Sequence, residues 1–470
     1  MGLSGSRHAS SVSTWLRQRI AATREYVTHD LGPLRQTTAR ILWVVARGLT
    51  LAPRLHWRVH GYRLLMRLQR AALSDTTNIR VATQLASAAS REGAGTPTGL
   101  WALYDNVLAK ASAKFVTGAA PEVSRLLGVR ILVVKAARHE ERGVIVIDYE
   151  YVLPLVLARF DIAGILERYD LVLEPSWAGV CASELLAYSR LPRPVTIQTM
   201  EPSDHILLRA LNANLDVVPI AANWWVDPGP APDPDIVRDI DVAMIAAWAR
   251  VKRHWRFFRV LRFLRDKGRV LKVALAGYPG DMTRNDIARL AEEHGVRDQL
   301  SVYERIPHED VRDLLRRSKV HVLWSRREAS GRATIEALFA DTPVILRSGL
   351  TFGHPYPYIN PSTGAFVAEA ELAEALVRMI DNRDKYRPRD WALAHMGARN
   401  ATAILENHLQ RRAKSRGETW TEGLVAKVSE LNTQRYLDPS DRSRFDEDYR
   451  FLASMARSNP NQSGGEHHNS

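Results

Sequence analysis

The chain has 470 residues, one cysteine, 46% hydrophobic residues and a formal net charge of +13, which suits a packed globular protein of two to three domains at roughly 150 residues each. The single thiol, Cys181, cannot close an intrachain disulfide; this excludes a disulfide-dense secreted scaffold and a four-cysteine zinc site and favours the reducing cytoplasm. No stretch holds the roughly 18 to 20 uninterrupted apolar residues of a membrane-spanning helix, because the closest one, residues 39–52, is interrupted by Arg40 and Arg47.

The positive charge is concentrated at the N-terminus. Residues 1–100 hold fourteen Arg, no Lys and four acids, a net charge of +10 that leaves only +3 for the other 370 residues. Gly32-Pro33 and Pro53 predict breaks between helices in this region, because proline cannot continue a helix. We therefore predict a basic helical extension over 1–95 that is attached to a nearly neutral body.

After Pro53 the extension has an amphipathic pattern. Apolar residues recur at helical spacing, and Arg residues form a separate stripe. The apolar set is Leu55, Val59, Tyr62 and Met66, and the basic set is Arg63, Arg67 and Arg70. Three interpretations remain open: a surface lying on anionic lipid at the inner membrane face, a helical extension packed on the core, or a targeting peptide. A nucleic-acid partner is disfavoured because no reading motif accompanies the Arg residues.

Residues 96–230 alternate short apolar runs with helical patterns. Runs that are apolar at both parities predict strands buried on both faces of a parallel sheet, and a helical pattern from Leu155 to Tyr169 adds a βαβ rhythm. The predicted strands are 129–134, 143–147, 171–173 and 195–197. We expect an N-terminal Rossmann-like acceptor domain here. A Pro-rich hinge at 228–234 follows it and excludes a continuous helix or central strand.

A second and more regular series occupies residues 231–385. The predicted strands are 242–246, 270–276, 300–303, 320–324 and 343–346, and the helices between them are 255–267, 284–294, 309–317 and 332–340. This alternation predicts a doubly wound α/β domain that faces the first one across a cleft at the carboxyl ends of the strands. Residues 386–456 are predicted to be helical, and the polar tail at 457–470 is predicted to be disordered.

The candidate chemistry lies where a predicted buried strand ends and a helix begins, at residues 325–337. Gly331 allows a ligand to approach the backbone closely, and the amides of Ser330 to Ala333 favour an anion such as a phosphate. Glu328 and Glu336 bracket this turn, and ionised carboxylates accept hydrogen bonds from sugar hydroxyls. Backbone amides that bind phosphate, together with carboxylates that bind hydroxyls, fit a nucleotide-sugar. The alternative is that this segment binds no ligand and is a helix N-terminus in which one acid interacts favourably with the helix dipole and the other is solvated.

Glu328, seven intervening residues and Glu336, followed by Ala337 and the strand 342–345, resemble the E-x7-E signature of retaining glycosyltransferases of family four. The resemblance covers residues 235–380 well and 125–230 by architecture, whereas the first 95 residues are unlike that family. It implies the GT-B fold, in which two Rossmann-like doubly wound domains face a cleft. It also implies transfer of a hexose-type sugar from a nucleoside diphosphate sugar, the donor substrate, to a carbohydrate or lipid-linked acceptor.

The resemblance assigns roles residue by residue. Glu336 binds the ribose hydroxyls, and Glu328 contacts the donor sugar as one of two catalytic residues, the other being Lys252. The remaining expected donor-binding residues are Ser330, Gly331, Arg332 and Gly277, together with Arg250 or Arg253. One of those two Arg residues replaces the family's phosphate-binding Arg, because Ala247 stands in its place. A cationic pair is expected there on physical grounds, since the leaving diphosphate gains charge in the transition state. No Asp-x-Asp motif is visible, so we expect catalysis without a metal and no cofactor.

The acceptor side is less defined. The family often has a His after a strand of its N-terminal domain, and the corresponding stretch here, residues 169–177, has none. Four polar residues follow predicted strands and either face the acceptor or act as loop and cap residues: Glu174, Ser176, Glu201 and Asp204. A second hypothesis for the whole chain is a non-catalytic protein that retains the nucleotide-sugar fold and is anchored to an anionic surface by its Arg-rich extension.

Overall fold

The computed structural model describes residues 23, 32–71, 75–93, 95–96, 98–106, 125–175, 185, 187–199, 205–206, 208–209, 214–326, 328, 331–350, 358–430 and 433–457. The chain divides into two compact units. The helical unit comprises Met1–Asn106 and Pro202–Asn212, and the α/β unit comprises Val107–Glu201 and Ala213–Ser470.

The helical unit has helices α1 (Gly32–Thr50), α2 (Leu55–Ala71) and α3 (Asp75–Gly93). The break predicted at Pro53 is confirmed, because α1 ends and α2 begins on either side of it. On α2, Tyr62 and Met66 are buried as the apolar stripe predicts, whereas Leu55 is 49% exposed. Glu92 lies in the last turn of α3. Its carboxylate accepts hydrogen bonds from four successive backbone amides that follow the helix, those of Thr98 to Trp101, at 2.6–3.0 Å.

The first sheet of the α/β unit has the strand order β1-β2-β3-β4-β5. Its strands are β1 (Ile131–Lys135), β2 (Gly143–Asp148), β3 (Tyr169–Glu174), β4 (Val195–Gln198) and β5 (Leu215–Val218). The parallel prediction is correct for β2 to β5 and wrong for β1, which pairs antiparallel with β2. The connection between β1 and β2 is too short for the crossover that parallel neighbours need.

Two helices, α4 (Leu153–Arg159) and α5 (Ile162–Arg168), replace the single helix predicted between β2 and β3. The break is at Phe160-Asp161, where the Asp161 side chain caps α5 by accepting a hydrogen bond from the Gly164 amide. The short strand β5 was not predicted, because it has only four residues, of which the middle two are half-buried and one is Asp216.

The second sheet is entirely parallel, with the strand order β11-β10-β9-β6-β7-β8. Its strands are β6 (Ile240–Ile245), β7 (Val273–Gly277), β8 (Leu300–Glu304), β9 (Ser318–Leu323), β10 (Val344–Arg347) and β11 (Gly364–Val367). Helices α6 (His254–Asp266), α7 (Arg284–Glu293), α8 (His308–Arg316) and α9 (Arg332–Phe339) connect them. The predicted alternation is confirmed for β6 to β10, whereas β11 was not predicted, and the strand order reverses between β6 and β9. In open α/β sheets this switch point is where ligands bind.

The chain after β11 returns to the first sheet. Helices α10 (Leu372–Asp381), α11 (Pro388–His395) and α12 (Ala398–Ser415) precede the antiparallel hairpin of β12 (Lys427–Glu430) and β13 (Thr433–Tyr436), and α13 (Asp446–Ser454) follows it. The Tyr436 hydroxyl donates to the Val133 carbonyl on β1 at 2.8 Å. The purely helical prediction for 386–456 is therefore wrong at the hairpin, whose buried Lys427 and Ser429 give no apolar strand pattern.

Candidate donor site

Two loops at the carboxyl ends of β6 and β9 form the candidate site at the switch point of the second sheet. The first loop ends at Arg253, whose backbone is left-handed (φ 57°) where α6 begins. The second ends at Gly331, which is also left-handed (φ 48°) where α9 begins, a conformation that favours glycine. A hydrogen bond of 2.8 Å from the Arg326 amide to the Val251 carbonyl joins the loops.

Lys252 and Glu328 form an ion pair between these two loops. The Glu328 side chain is 5% exposed, and the Lys252 side chain is 14% exposed. The structure thus brings together the two residues predicted as catalytic. The pair also keeps the buried carboxylate compensated when no ligand neutralises it.

Glu336 lies on the first turns of α9 and is buried. Its Oε1 atom accepts hydrogen bonds from Arg332 Nε at 2.7 Å and from His308 Nε2 at 2.9 Å. Burial alone would raise the pKa of Glu336, but the hydrogen bond from His308 and the charge of Arg332 outweigh it and lower the pKa to about 2. The carboxylate is therefore ionised and acts only as a hydrogen-bond acceptor.

His308 was missed by the sequence reasoning. It is the first residue of α8, and its side chain is 41% exposed. No metal-ligand spacing marks it, so its link to Glu336 becomes visible only when α8 and α9 are seen side by side. His321 is an ordinary core histidine: it is buried in β9, and burial lowers its pKa to about 4. His354 lies outside the described residues.

The two Arg candidates for the phosphate position differ in their surroundings. Arg250 is partly exposed, and both its amide (2.8 Å) and its guanidinium (3.5 Å) contact Asp281. Arg253 is buried, and its pKa is lowered to about 9 by burial and then by the positive charge of Arg347. Arg347, at the end of β10, donates to the carbonyls of Ser325 (3.2 Å) and Arg326 (3.1 Å) and so supports the loop before Glu328.

Gly277, another predicted donor-binding residue, is required by the protein's own packing. A Cβ atom there would lie 2.1 Å from the Ala246 carbonyl oxygen and 2.7 Å from Nε1 of the buried Trp248. Ser330 lies outside the described residues. Among the residues that the structure does describe, no cluster of three or more His, Cys, Asp or Glu side chains is placed to hold a metal ion.

On the acceptor side, Glu174 does not face solvent. Its carboxylate is 3% exposed and is held by Lys427 Nζ at 2.6 Å and by the Ser429 hydroxyl at 2.8 Å. The expectation that Glu174 faces the acceptor or serves as a surface cap is therefore wrong, because the unpredicted hairpin covers it. Ser176, Glu201 and Asp204 lie outside the described residues.

Two interactions link the first-sheet and second-sheet halves of the α/β unit. Burial lowers the pKa of Lys427, Glu174 opposes this effect, and the charge of Arg332 adds a further lowering. Arg332 belongs to the second sheet's switch point and Lys427 to the hairpin that covers the first sheet, so the two groups lie within electrostatic range of each other. The side-chain amide of Asn223 also donates a hydrogen bond of 3.1 Å to the Tyr358 hydroxyl, which joins the first-sheet half of the α/β unit to the second-sheet half.

Residues 235–390 match the family model of glycosyl transferases group 1. The matched region is one third of the chain and contains the whole switch-point site. Together with the two facing α/β sheets and the helical N-terminal region, the match confirms the predicted fold class. The narrower assignment to family four and its signature stays a prediction. No curated protein matches the sequence.

Solved structures similar to this chain include a mutant of S. aureus TarM in complex with fondaparinux, alpha-GlcNAc-glycerol and UDP (13% identity, TM-score 0.43). The alignment covers 56% of this chain and 54% of the TarM chain, so the match spans about half of that protein. Sucrose-phosphate synthase from Thermosynechococcus elongatus is 17% identical over 58% of this chain and 74% of its own, with a TM-score of 0.46. These likenesses assign no substrate.

Proposed function

We propose that this protein is a retaining, metal-independent glycosyltransferase that uses a nucleoside diphosphate sugar. The observation that carries the proposal is the set of charged side chains at the switch point of the glycosyltransferase domain: the Lys252–Glu328 pair beside the ionised Glu336. Cations suit a diphosphate and carboxylates suit hydroxyls, so the set is complementary to a nucleotide-sugar.

Glu336 is proposed to bind the ribose. Both of its protein donors, Arg332 and His308, contact Oε1, so Oε2 is the atom that we assign to the ribose hydroxyls. The two donors also fix the orientation of the carboxylate before the ligand arrives, which reduces the entropic cost of binding.

The diphosphate is proposed to bind between Lys252, Arg253 and the first turn of α9. When the diphosphate binds, Lys252 pairs with it instead of with Glu328. The Glu328 carboxylate is then free to accept hydrogen bonds from the donor sugar. We assign the phosphate role to Arg253 in preference to Arg250, because Asp281 already pairs with the guanidinium of the partly exposed Arg250. These cations stabilise the charge that develops on the leaving diphosphate.

The resemblance to retaining enzymes supports a front-face reaction. The bond between the anomeric carbon and the diphosphate oxygen breaks, and the acceptor oxygen bonds to the same face of the sugar. The acceptor hydroxyl gives its proton to the leaving diphosphate, so the step needs no protein nucleophile. Lys252 and Glu328 are the catalytic residues in this scheme.

Calorimetric titration with UDP and GDP tests the proposed donor site. Replacing Glu336 by Ala removes one or two charge-assisted hydrogen bonds of roughly 1.5–3 kcal/mol each, so affinity should fall at least about tenfold. Arg378→Ala, on the exposed face of α10, is the matched control and should leave affinity unchanged. Equal affinity of wild type and Glu336→Ala for both nucleotides would contradict the assignment.

The alternative, a non-catalytic nucleotide-sugar-binding protein, is separated from the enzyme by chemistry. A transferase incubated with a panel of nucleotide-sugars is expected to hydrolyse its own donor slowly. Release of nucleoside diphosphate by the wild type but not by Lys252→Gln supports the enzyme. Binding of nucleotide without any such release supports the alternative.

We propose a carbohydrate or lipid-linked acceptor and a place of action at the cytoplasmic face of an anionic membrane. The support is the net charge of +10 on the first 100 residues beside a nearly neutral body. Within the part of the chain that the structure describes, no helix has both the length and the apolar character needed to cross a bilayer.

A further inference from the structure

Helix α1 has its small side chains inside and its bulky aliphatic side chains outside. Ala39, Ala46 and Thr50 are buried. On the rest of the helix surface, Ile41 is 58% exposed, Val44 is 56% exposed and Val45 is 50% exposed. A helix that faces water normally presents polar side chains on its outer face, so the apolar outer face of α1 requires a partner that is itself apolar.

The exposed apolar surface continues around the corner between α1 and α2. Leu51 is 70% exposed, Leu55 is 49% exposed and Trp57 is 45% exposed. We define the apolar corner by its exposed side chains: Ile41, Leu42, Val44, Val45, Leu51, Leu55 and Trp57. The apolar stripe that the sequence shows on α2 is a different set, because its Tyr62 and Met66 are buried and only its Leu55 belongs to the apolar corner.

The segment that carries the apolar corner is strongly basic in sequence. Residues 31–74 contain eight Arg and no Asp or Glu. Arg40, Arg47 and Arg54 are exposed on α1 and in the turn before α2. An exposed aliphatic surface with a Trp and flanked by Arg is complementary to the interface of an anionic bilayer, where apolar side chains reach the acyl region and guanidinium groups meet phosphate.

We infer that the apolar corner inserts into one leaflet of an anionic membrane, with α1 lying in the plane of the interface. The inference rests on the proposed membrane contact and names the residues and the mode of binding. The aliphatic side chains favour lipid over nucleic acid, because a nucleic-acid surface would meet Arg and aromatic residues rather than Val and Ile. The absence of acids from residues 31–74 favours an anionic surface over a neutral one.

Co-sedimentation of the full chain with vesicles tests the apolar part of the inference. Vesicles of phosphatidylcholine with 30% phosphatidylglycerol are compared with pure phosphatidylcholine. The triple variant I41Q/V44Q/V45Q is expected to weaken binding at least about tenfold, because three side chains lose their apolar insertion. The matched control V237Q/F263Q/V270Q changes three equally exposed apolar residues of the α/β unit and should bind as the wild type does.

The electrostatic part has its own variant. R40Q/R47Q/R54Q should lose about a hundredfold in affinity for the anionic vesicles at low salt, at about 1 kcal/mol for each Arg near the surface. The control R378Q/R450Q removes two exposed Arg of the α/β unit and should have no effect. A vesicle affinity that changes neither with lipid charge, nor with salt, nor with any of these substitutions would overturn the inference.

Insertion is read directly from an environment-sensitive dye. In a Cys181→Ser background, Val45→Cys carries the dye on the apolar corner and Val270→Cys carries it on the α/β unit. We expect a blue shift with anionic vesicles for the first and none for the second. Co-sedimentation without a shift at Val45 would place the membrane contact elsewhere and overturn the inference.

Two other occupants of the apolar corner have distinct outcomes. A second copy of the chain would give a dimer in sedimentation velocity that I41Q/V44Q/V45Q dissociates. If residues 1–31 of the same chain covered the apolar corner, a variant lacking them would bind vesicles more tightly than the wild type. Either result overturns the inference. UDP titration on the same variants should match the wild type, so the donor-site proposal stands or falls separately.

Discussion

The two sheets of the α/β unit each carry a Lys–Glu pair at their carboxyl ends, but the two pairs differ in burial. Lys427 and Glu174 are 0% and 3% exposed, and Ser429 and the Trp225 ring, 4.5 Å from Lys427 Nζ, complete their surroundings. Lys252 is 14% exposed and pairs with Glu328, which is 5% exposed, at the switch point of its sheet. Both glutamates are buried, but only the second pair has a lysine that solvent reaches, so we assign the first pair to the support of the fold and the second to the exchange of partners with a ligand.

Lys427→Met should have the largest effect on stability. It leaves the buried Glu174 carboxylate without its cation, which typically costs 3–5 kcal/mol of the free energy of unfolding. Chemical denaturation followed by fluorescence measures the loss. The double variant Glu174→Gln/Lys427→Met removes both charges and should recover most of the stability. A single variant as stable as the wild type would contradict the structural role of this pair.

Lys252→Gln should affect ligand binding more than stability. It removes one charge-assisted contact to the diphosphate of about 1.5–3 kcal/mol, so the affinity for UDP or GDP should fall about 10- to 150-fold. Calorimetry measures the affinity, and denaturation measures the smaller change in stability. A variant that unfolds as readily as Lys427→Met while retaining nucleotide affinity would reverse the roles of the two pairs.

Asp148, close to the buried Lys427–Glu174 pair, makes the stability of the protein depend on pH. Burial, together with the nearby charge of Glu174, raises the pKa of Asp148 to about 7 despite Arg130 at 3.2 Å. Because the folded state holds this proton more tightly than the unfolded state, stability should fall as the pH rises from about 4 to 7, by up to about 1.4 kcal/mol per unit. Asp148→Asn should remove this slope in denaturation series. An unchanged slope would contradict the assignment.

The smallest predicted effect is that of His308. His308→Ala removes one of the two donors to Glu336 Oε1, and nucleotide affinity should fall about fivefold, at about 1 kcal/mol for a single hydrogen bond. His308→Gln can donate to the same atom and should restore part of the affinity in calorimetry. A loss in the Gln variant as large as that in the Ala variant would argue against a positioning role.

The sequence predicted five of the six strands of the second sheet, because most of them are short apolar runs between helical patterns; it missed the four-residue strand β11, two of whose residues are half-buried. The resemblance assigned Lys252 and Glu328 to one site, and the structure pairs their side chains. Three other features escaped the sequence for physical reasons. Lys427 is polar yet buried by pairing with a residue 253 positions away. His308 meets Glu336 only through helix packing, and α1 hides alanines rather than its larger aliphatic side chains.

The most direct test of the donor-site assignment is calorimetric titration of UDP and GDP into three proteins: the wild type, Lys252→Gln and the double variant Glu174→Gln/Lys427→Met. We expect the nucleotide that binds the wild type to bind the double variant with the same affinity and Lys252→Gln at least about tenfold more weakly. Equal binding by Lys252→Gln together with weakened binding by the double variant would contradict the placement of the donor at the second sheet.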